Sequence, residues 1–143
     1  MSNSNDENTW VGREFQKLVQ RSFPKHYGIT LELEVPLPIG NPPKPHKFDC
    51  TSEDQKIVIE CKCYTWTDTG NVPSAKLRGL NEAVFFMRCL PDDITKILCM
   101  AKATHPTKSE TLAEYYCRLY GHLLGNVKVF EVDSIGNIRE IRP

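Results

Sequence analysis

Asp49, Glu60 and Lys62 are the side chains whose types and spacing could do chemistry together. They fall on two neighbouring strand-like runs, Lys47-Phe48-Asp49-Cys50-Thr51 and Lys56-Ile57-Val58-Ile59-Glu60-Cys61-Lys62-Cys63. The second run alternates: Ile57, Ile59, Cys61 and Cys63 point one way, and Val58, Glu60 and Lys62 the other. Glu60 and Lys62 thus share a face, roughly 7 Å apart along the strand. Ser52-Glu53-Asp54-Gln55 reads as a polar turn. With Asp54-Gln55 as a two-residue loop, Asp49 lies directly opposite Glu60 in a hairpin. Opposed residues on antiparallel strands project to one side with Cβ atoms about 5 Å apart. A slip of one residue would send Asp49 to the other face.

Two carboxylates that close repel each other, and ionising both in a partly buried place is costly. A hard divalent cation removes that cost, and one or two acidic side chains are what Mg²⁺ takes while keeping several waters. A lysine beside the metal can hold or deprotonate an attacking water, or stabilise charge on a phosphoryl oxygen. Metal, activated water and ammonium together suit in-line attack on a phosphodiester.

At these residues the chain resembles the PD-(D/E)XK nuclease superfamily. The family pattern, an acidic residue ending one strand and then (D/E)-X-K on the next, is matched by Phe48-Asp49 and Glu60-Cys61-Lys62. Phe48 stands where many members carry proline. Members often add an acidic residue on a preceding helix, and Glu14 in Gly12-Arg13-Glu14-Phe15 fits that position. The resemblance implies that Asp49 and Glu60 bind Mg²⁺, with Mn²⁺ able to substitute. It also implies a backbone carbonyl of Ile59 or Cys61 as a further ligand, Lys62 orienting the water, and Glu14 assisting. The other reading of Glu14 is a solvated helix residue paired with Arg13 or Lys17.

The elements that must hold these residues follow from periodicity and turn chemistry. A polar tail to about Asn8 precedes a helix from Thr9-Trp10, with an apolar stripe of Trp10, Val11, Phe15, Leu18, Val19 and Phe23, ended by Pro24. Ile29 to Val35 alternates as a strand with one wet face, leaving Glu32 and Glu34 on the surface. Pro36 to Pro45 reads as a stiff, extended proline-rich loop walling the site. After the hairpin, Tyr64 to Asn71 is a connection in which Tyr64 or Trp66 is placed to stack on a base. A helix starts at Pro73-Ser74, with Lys76 near its beginning and within reach of a phosphate. Ile94 to Ala101 is a buried central strand. His105 lies in the next loop and is read as a surface residue more readily than as a proton shuttle. A helix from Thr111 to Leu124 ends at Gly125, and Val127 to Val132 is a last full strand before a short Ile138-to-Ile141 segment. The order α-β-β-β-α-β-α-β predicts an α/β domain, a mixed sheet with helices on both faces. It is also the core order of the restriction-endonuclease-like fold, so the resemblance extends over roughly residues 10–132.

Composition bounds the function classes. The 143 residues, 40% hydrophobic and 25% charged, fit one globular domain spanning residues 1–143. There is no run of about 18 apolar residues to span a membrane. The polar, acidic start Met1 to Asn8 is unlike a secretory signal, so a cytoplasmic, reducing location is expected. The six cysteines fall in apolar runs without zinc spacing and are expected to be reduced, mostly buried core residues. A net charge of zero weakens, without removing, the case for nucleic acid. Basic residues still cluster locally: Arg13, Lys17, Arg21, Lys25 and His26 on the first helix, and Lys44, His46 and Lys47 before Asp49. The resulting expectation is a Mg²⁺-dependent DNA endonuclease. It is either a restriction or defence enzyme or a structure-specific one such as a Holliday-junction resolvase. Arg13, Lys17, Lys47, Tyr64, Trp66 and Lys76 are its candidate DNA contacts, and a homodimer is expected because cutting two strands needs two sites. The alternative is a nuclease-fold DNA-binding or interaction module without catalysis.

Overall fold

The computed structural model describes residues 5–142. The chain forms α1 (Asn5–Tyr27), β1 (Leu31–Ile39), β2 (Lys44–Ser52), β3 (Ile57–Lys62), α2 (Ser74–Arg88), β4 (Thr95–Ala101), α3 (Leu112–Tyr120), a 3₁₀ turn (Gly121–Leu123), β5 (Val127–Val132) and β6 (Ile138–Ile141). The strands build one six-stranded mixed sheet in sequential order. β1, β2 and β3 form an antiparallel meander. β3, β4 and β5 run parallel, and β6 closes the edge antiparallel. Each parallel step requires a crossover, and α2 and α3 supply them.

Helices cover both faces, so the central strands are buried on two sides. On one face Phe15, Val19 and Phe23 of α1 pack on Cys50, Ile59, Ile97, Cys99 and Phe130. On the other, α2 and α3 bring Leu80, Met87, Leu112 and Tyr116 against Phe48, Val58, Leu98, Met100 and Val129. The expected alternation of β3 holds. Val58 faces α2 and α3, while Ile57, Ile59, Cys61 and Cys63 face α1.

Several boundaries differ from the sequence expectation, each for a local reason. Residues 1–4 of the expected tail lie outside the described residues, and Asn5 to Asn8 are already helical. Pro24 sits inside α1, which runs on to Tyr27. Proline removes one N–H bond, but Phe23 is fully buried and Tyr27 stacks on it at 5.7 Å, so the last turn is retained by packing. Gly28, at φ +67°, ends the helix by donating its N–H to the Pro24 carbonyl at 2.7 Å. The Pro36-to-Pro45 segment is not a loop. It forms the end of β1, a turn and the start of β2, with Pro36 paired to Lys47 and Pro38 to Pro45. β1 is an edge strand, and there a missing N–H costs no ladder bond.

The β1–β2 ladder runs from Leu31↔Ser52 to Ile39↔Lys44, but β2 pairs with β3 only at Cys50↔Ile59 and Thr51↔Val58. Beyond Asp49 the hairpin therefore leaves the sheet as an arm. It also rolls over. Leu31, Leu33 and Cys50 pack toward α1, whereas Val35, Leu37 and Phe48 pack toward α2. Residues two apart on a flat strand share a face, so the roll occurs at Glu34 and Asp49. Glu34 has the left-handed φ of +54° that such a rotation demands.

Candidate active site

Asp49 stands at the fork where β2 parts from β3. The register through Cys50↔Ile59 sets it opposite Glu60, as the hairpin argument requires. Where the ladder stops, the two carboxylates take over its backbone groups. The Asp49 N–H donates to Glu60 Oε1 at 2.9 Å, and the Cys61 N–H donates to Asp49 Oδ2 at 2.7 Å. Such charge-assisted bonds are about twice as strong as neutral ones. From α1, Gln16 Nε2 donates to the Asp49 carbonyl at 2.9 Å. Gln16 is buried although polar, and this bond accounts for its place on the apolar stripe.

The electrostatics follow from that closeness. Glu60 is 7% exposed. Burial first, and then the Asp49 charge, push its carboxyl up to about 8, against the Asp49 N–H and Lys62. Burial likewise raises Asp49, opposed by the Cys61 N–H, Lys62 and His46 and reinforced by Glu34. At neutral pH this pair holds either a proton or a cation. One oxygen of each carboxylate accepts a backbone N–H. Asp49 Oδ1 and Glu60 Oε2 have no protein donor among the described residues. Among the described residues the buried polar atoms lacking partners are Thr51 Oγ1 and Glu131 Oε2, so the two free carboxylate oxygens are open to water. Among the described residues no three His, Cys, Asp or Glu side chains form a ready-made metal cage. The donor set is two carboxylate oxygens plus solvent, which fits Mg²⁺, an ion that keeps several waters.

Lys62 follows Glu60 on the same strand face, partly exposed, and its charge opposes the upward shifts of both carboxyls. Its Nζ lies 5.8 Å from the centre of the Tyr64 ring, and Lys76 Nζ lies 5.6 Å from the same ring. Lys62, Tyr64 and Lys76 are therefore brought together. The Cys61 thiol turns away, toward α1. A hydrogen bond with Cys50, then burial, hold it protonated, well above the usual thiol range, so any ligand Cys61 offers is its carbonyl.

Other expected residues make no hydrogen bond or ion pair with the fork among the described residues. Glu14 Oε1 is 3.8 Å from Lys17 Nζ, both half exposed, which is the helix-surface reading of Glu14. No hydrogen bond or ion pair among the described residues joins Glu14, Arg13 or Lys17 to Asp49, Glu60 or Lys62. Arg13 and Lys47 are exposed. Trp66 is partly buried and packs against the core on the α2 and α3 side. Its Nε1–H donates to the Ala103 carbonyl at 2.9 Å, and His105 and Tyr115 meet its ring edge-on. His105 Nδ1 accepts the Thr107 and Lys108 N–H groups, which leaves Nε2–H to donate to the Gly70 carbonyl at 2.9 Å. That histidine braces the loop.

Four neighbours of the fork were given no part in the site by sequence reasoning, His46 having entered only as one of a basic cluster. Glu34 seemed an ordinary wet-face residue, yet its place across from Asp49 depends on the roll of the arm. His46 stacks on Phe86 of α2 at 4.4 Å and pins the arm over that helix. Gly79 of α2 leaves room for Tyr64, whose Oη would lie 2.8 Å from any Cβ there. Only Gln16 carried a signal, as a polar residue beside Phe15 on a buried stripe. A cavity of about 650 Å³ between α3 and β6, lined by residues including Arg118, Arg139 and Arg142, lies away from the fork.

No helix among the described residues is long and apolar enough to cross a membrane. Comparison with protein-family models, curated proteins and solved structures finds no match to this chain.

Proposed function

We propose that this chain is a metal-dependent endonuclease that hydrolyses phosphodiester bonds in DNA, with the active site at the β2–β3 fork and a restriction-endonuclease-like fold. The observation that carries the reading is the opposed pair Asp49 and Glu60, with the Glu60 carboxyl pushed up to about 8 and Lys62 beside it. Burying two adjacent acids is costly for the fold, and a hairpin that only needed pairing would not place them there.

Asp49 and Glu60 would hold the Mg²⁺ through Asp49 Oδ1 and Glu60 Oε2. Bound there, the ion supplies Lewis acidity and lowers the pKa of a coordinated water. The Asp49 and Cys61 N–H groups fix the two carboxylates in rotation, so little rearrangement is needed when a cation replaces the proton. Lys62, one strand step past Glu60, orients the attacking water and offsets charge developing on the phosphoryl oxygens. Tyr64 holds the Lys62 ammonium by its ring face. An open fork, rather than an enclosed cavity, suits a polymer backbone as substrate. Two-strand cleavage implies a homodimer.

A second reading, a nuclease-fold module that binds DNA without cutting it, draws on the lack of a third grouped ligand among the described residues. Incubating the protein with Mg²⁺ or Mn²⁺ and duplex, single-stranded and four-way-junction DNA separates the two. Cleavage of any of them that EDTA abolishes supports the nuclease, and intact DNA in every lane supports the module.

A further inference from the structure

Lys62 and Lys76 come from different elements, β3 and the first turn of α2, yet both ammoniums sit within 6 Å of the Tyr64 ring centre. Neither makes an ion pair with a carboxylate among the described residues. Two like charges gathered on one ring repel each other. The ring face offsets part of that repulsion through its quadrupole.

Tyr64 is not there by default. Its hydroxyl rests against the backbone of α2 at Gly79, where a Cβ would stand 2.8 Å from Oη. Gly79 is mid-helix, where glycine is unfavourable relative to alanine, so the close approach gives that glycine a reason. The same end of α2 carries no acidic residue in its first turn, and Pro73 caps it without a side-chain hydrogen bond. The positive end of the helix dipole is therefore uncompensated beside Lys76.

We propose that Lys76, held on Tyr64 beside Lys62, grips a backbone phosphate of the DNA strand next to the one being cut. The inference rests on the nuclease reading for Lys62, and adds α2 as the element that fixes where the strand lies. Lys62 then serves the reacting phosphate, Lys76 a neighbouring one, and Tyr64 sets the distance between them as a positioning residue. The substrate must continue past the scissile bond on the α2 side. A strand ending at the cleaved phosphate on that side loses the Lys76 contact.

The test is DNA affinity by fluorescence anisotropy in Ca²⁺, from 50 to 300 mM salt, together with steady-state cleavage in Mg²⁺. Lys76→Met should weaken duplex binding about tenfold at low salt and reduce the slope of log affinity against log salt by about 0.9, the signature of one lost phosphate contact. The loss in cleavage should appear in KM much more than in kcat, and Lys76→Arg should restore the slope. Tyr64→Leu should lose both the slope and kcat, and Tyr64→Phe, which keeps the ring, should lose clearly less of each. An unchanged slope in Lys76→Met would overturn the proposal, as would equal loss in Tyr64→Phe and Tyr64→Leu. Circular dichroism of each variant excludes unfolding as the cause. If the wild type binds with the Lys76-dependent slope but cuts nothing, the phosphate grip stands and only the nuclease reading falls. If the wild type does not bind DNA at all, the grip falls.

Discussion

Glu60→Gln should make the metal-free protein more stable at pH 8, although the wild-type carboxylate accepts a good hydrogen bond. Folding raises the Glu60 pKa from 4.5 to about 8. The folded state thus keeps a proton through a window in which the unfolded chain has released it. Stability falls with rising pH wherever the folded state binds more protons. The Glu60 contribution is therefore fully present below about pH 4.5 and is lost as pH climbs toward 8. At 1.36 kcal/mol per unit, the whole window amounts to about 5 kcal/mol, an upper figure because Asp49 carries part of the proton load. Asp49 is shifted in the same direction and adds to the slope. Asp54, Asp93, Glu110, Glu114 and Asp133 are lowered, so their stabilisation appears as pH rises through the ordinary carboxylate range and is complete by about pH 5.5. Above that pH the fork dominates among the carboxyls. Glutamine keeps an oxygen to accept the Asp49 N–H and has no charge to bury. Urea unfolding in EDTA at pH 5.5, 6.5, 7.5 and 8.5 should show the wild type losing about 3 kcal/mol across the series, and Glu60→Gln losing much less. Adding Mg²⁺ at pH 8 should restore the wild type, by about 2.7 kcal/mol at a hundredfold excess over Kd, and leave the variant unmoved. Parallel pH profiles for the two proteins would refute the buried-pair reasoning.

Other outcomes follow from the same geometry. Glu34→Gln should lower the pH at which the Asp49 and Glu60 carboxyls release their protons, read by ¹³C NMR, because Glu34 raises Asp49; Glu14→Gln should leave it in place, and a shift with Glu14→Gln would restore that residue to the site. Thiol titration in denaturant without reductant should count six free thiols, and in the native state the exposed Cys89 should react well before buried Cys50, Cys99 and Cys117. Trp66→Phe should cost about 1–3 kcal/mol in urea unfolding through the lost bond to Ala103, with little change in DNA affinity; a large affinity loss at unchanged stability would return Trp66 to the substrate.

Much of the fork was legible because short-range rules fix it. Ser52 to Gln55 is a turn whose closure sets a register sum, and the alternation of β3 then decides which face Glu60 and Lys62 share. The turn spans four residues between Ser52 and Ile57 rather than two, yet the sum and the opposed pair are unchanged. What escaped depends on contacts far apart in sequence. The prolines of β1 look like breakers until the strand is known to be an edge. Glu34 looks like any outward residue until the arm is seen to roll. Tyr64 and Gly79 are fifteen positions apart, and nothing local says that they touch. Lys96 lies in an apolar run and is buried, its ammonium bonded to the Leu90 carbonyl at 3.0 Å across the end of α2. Glu14 is read from the resemblance alone, and the contact it makes on α1 is with Lys17 at 3.8 Å.

The division of labour between Lys62 and the two carboxylates is the central claim, and single-turnover cleavage paired with Mg²⁺ calorimetry tests it most directly. Lys62→Ala should bind Mg²⁺ with near wild-type affinity and lose cleavage by at least ~100-fold, the scale of a general base or charge stabiliser. Asp49→Asn should lose cleavage and Mg²⁺ binding together. Cleavage by Lys62→Ala at the wild-type rate would contradict the account and place the chemistry elsewhere on the chain.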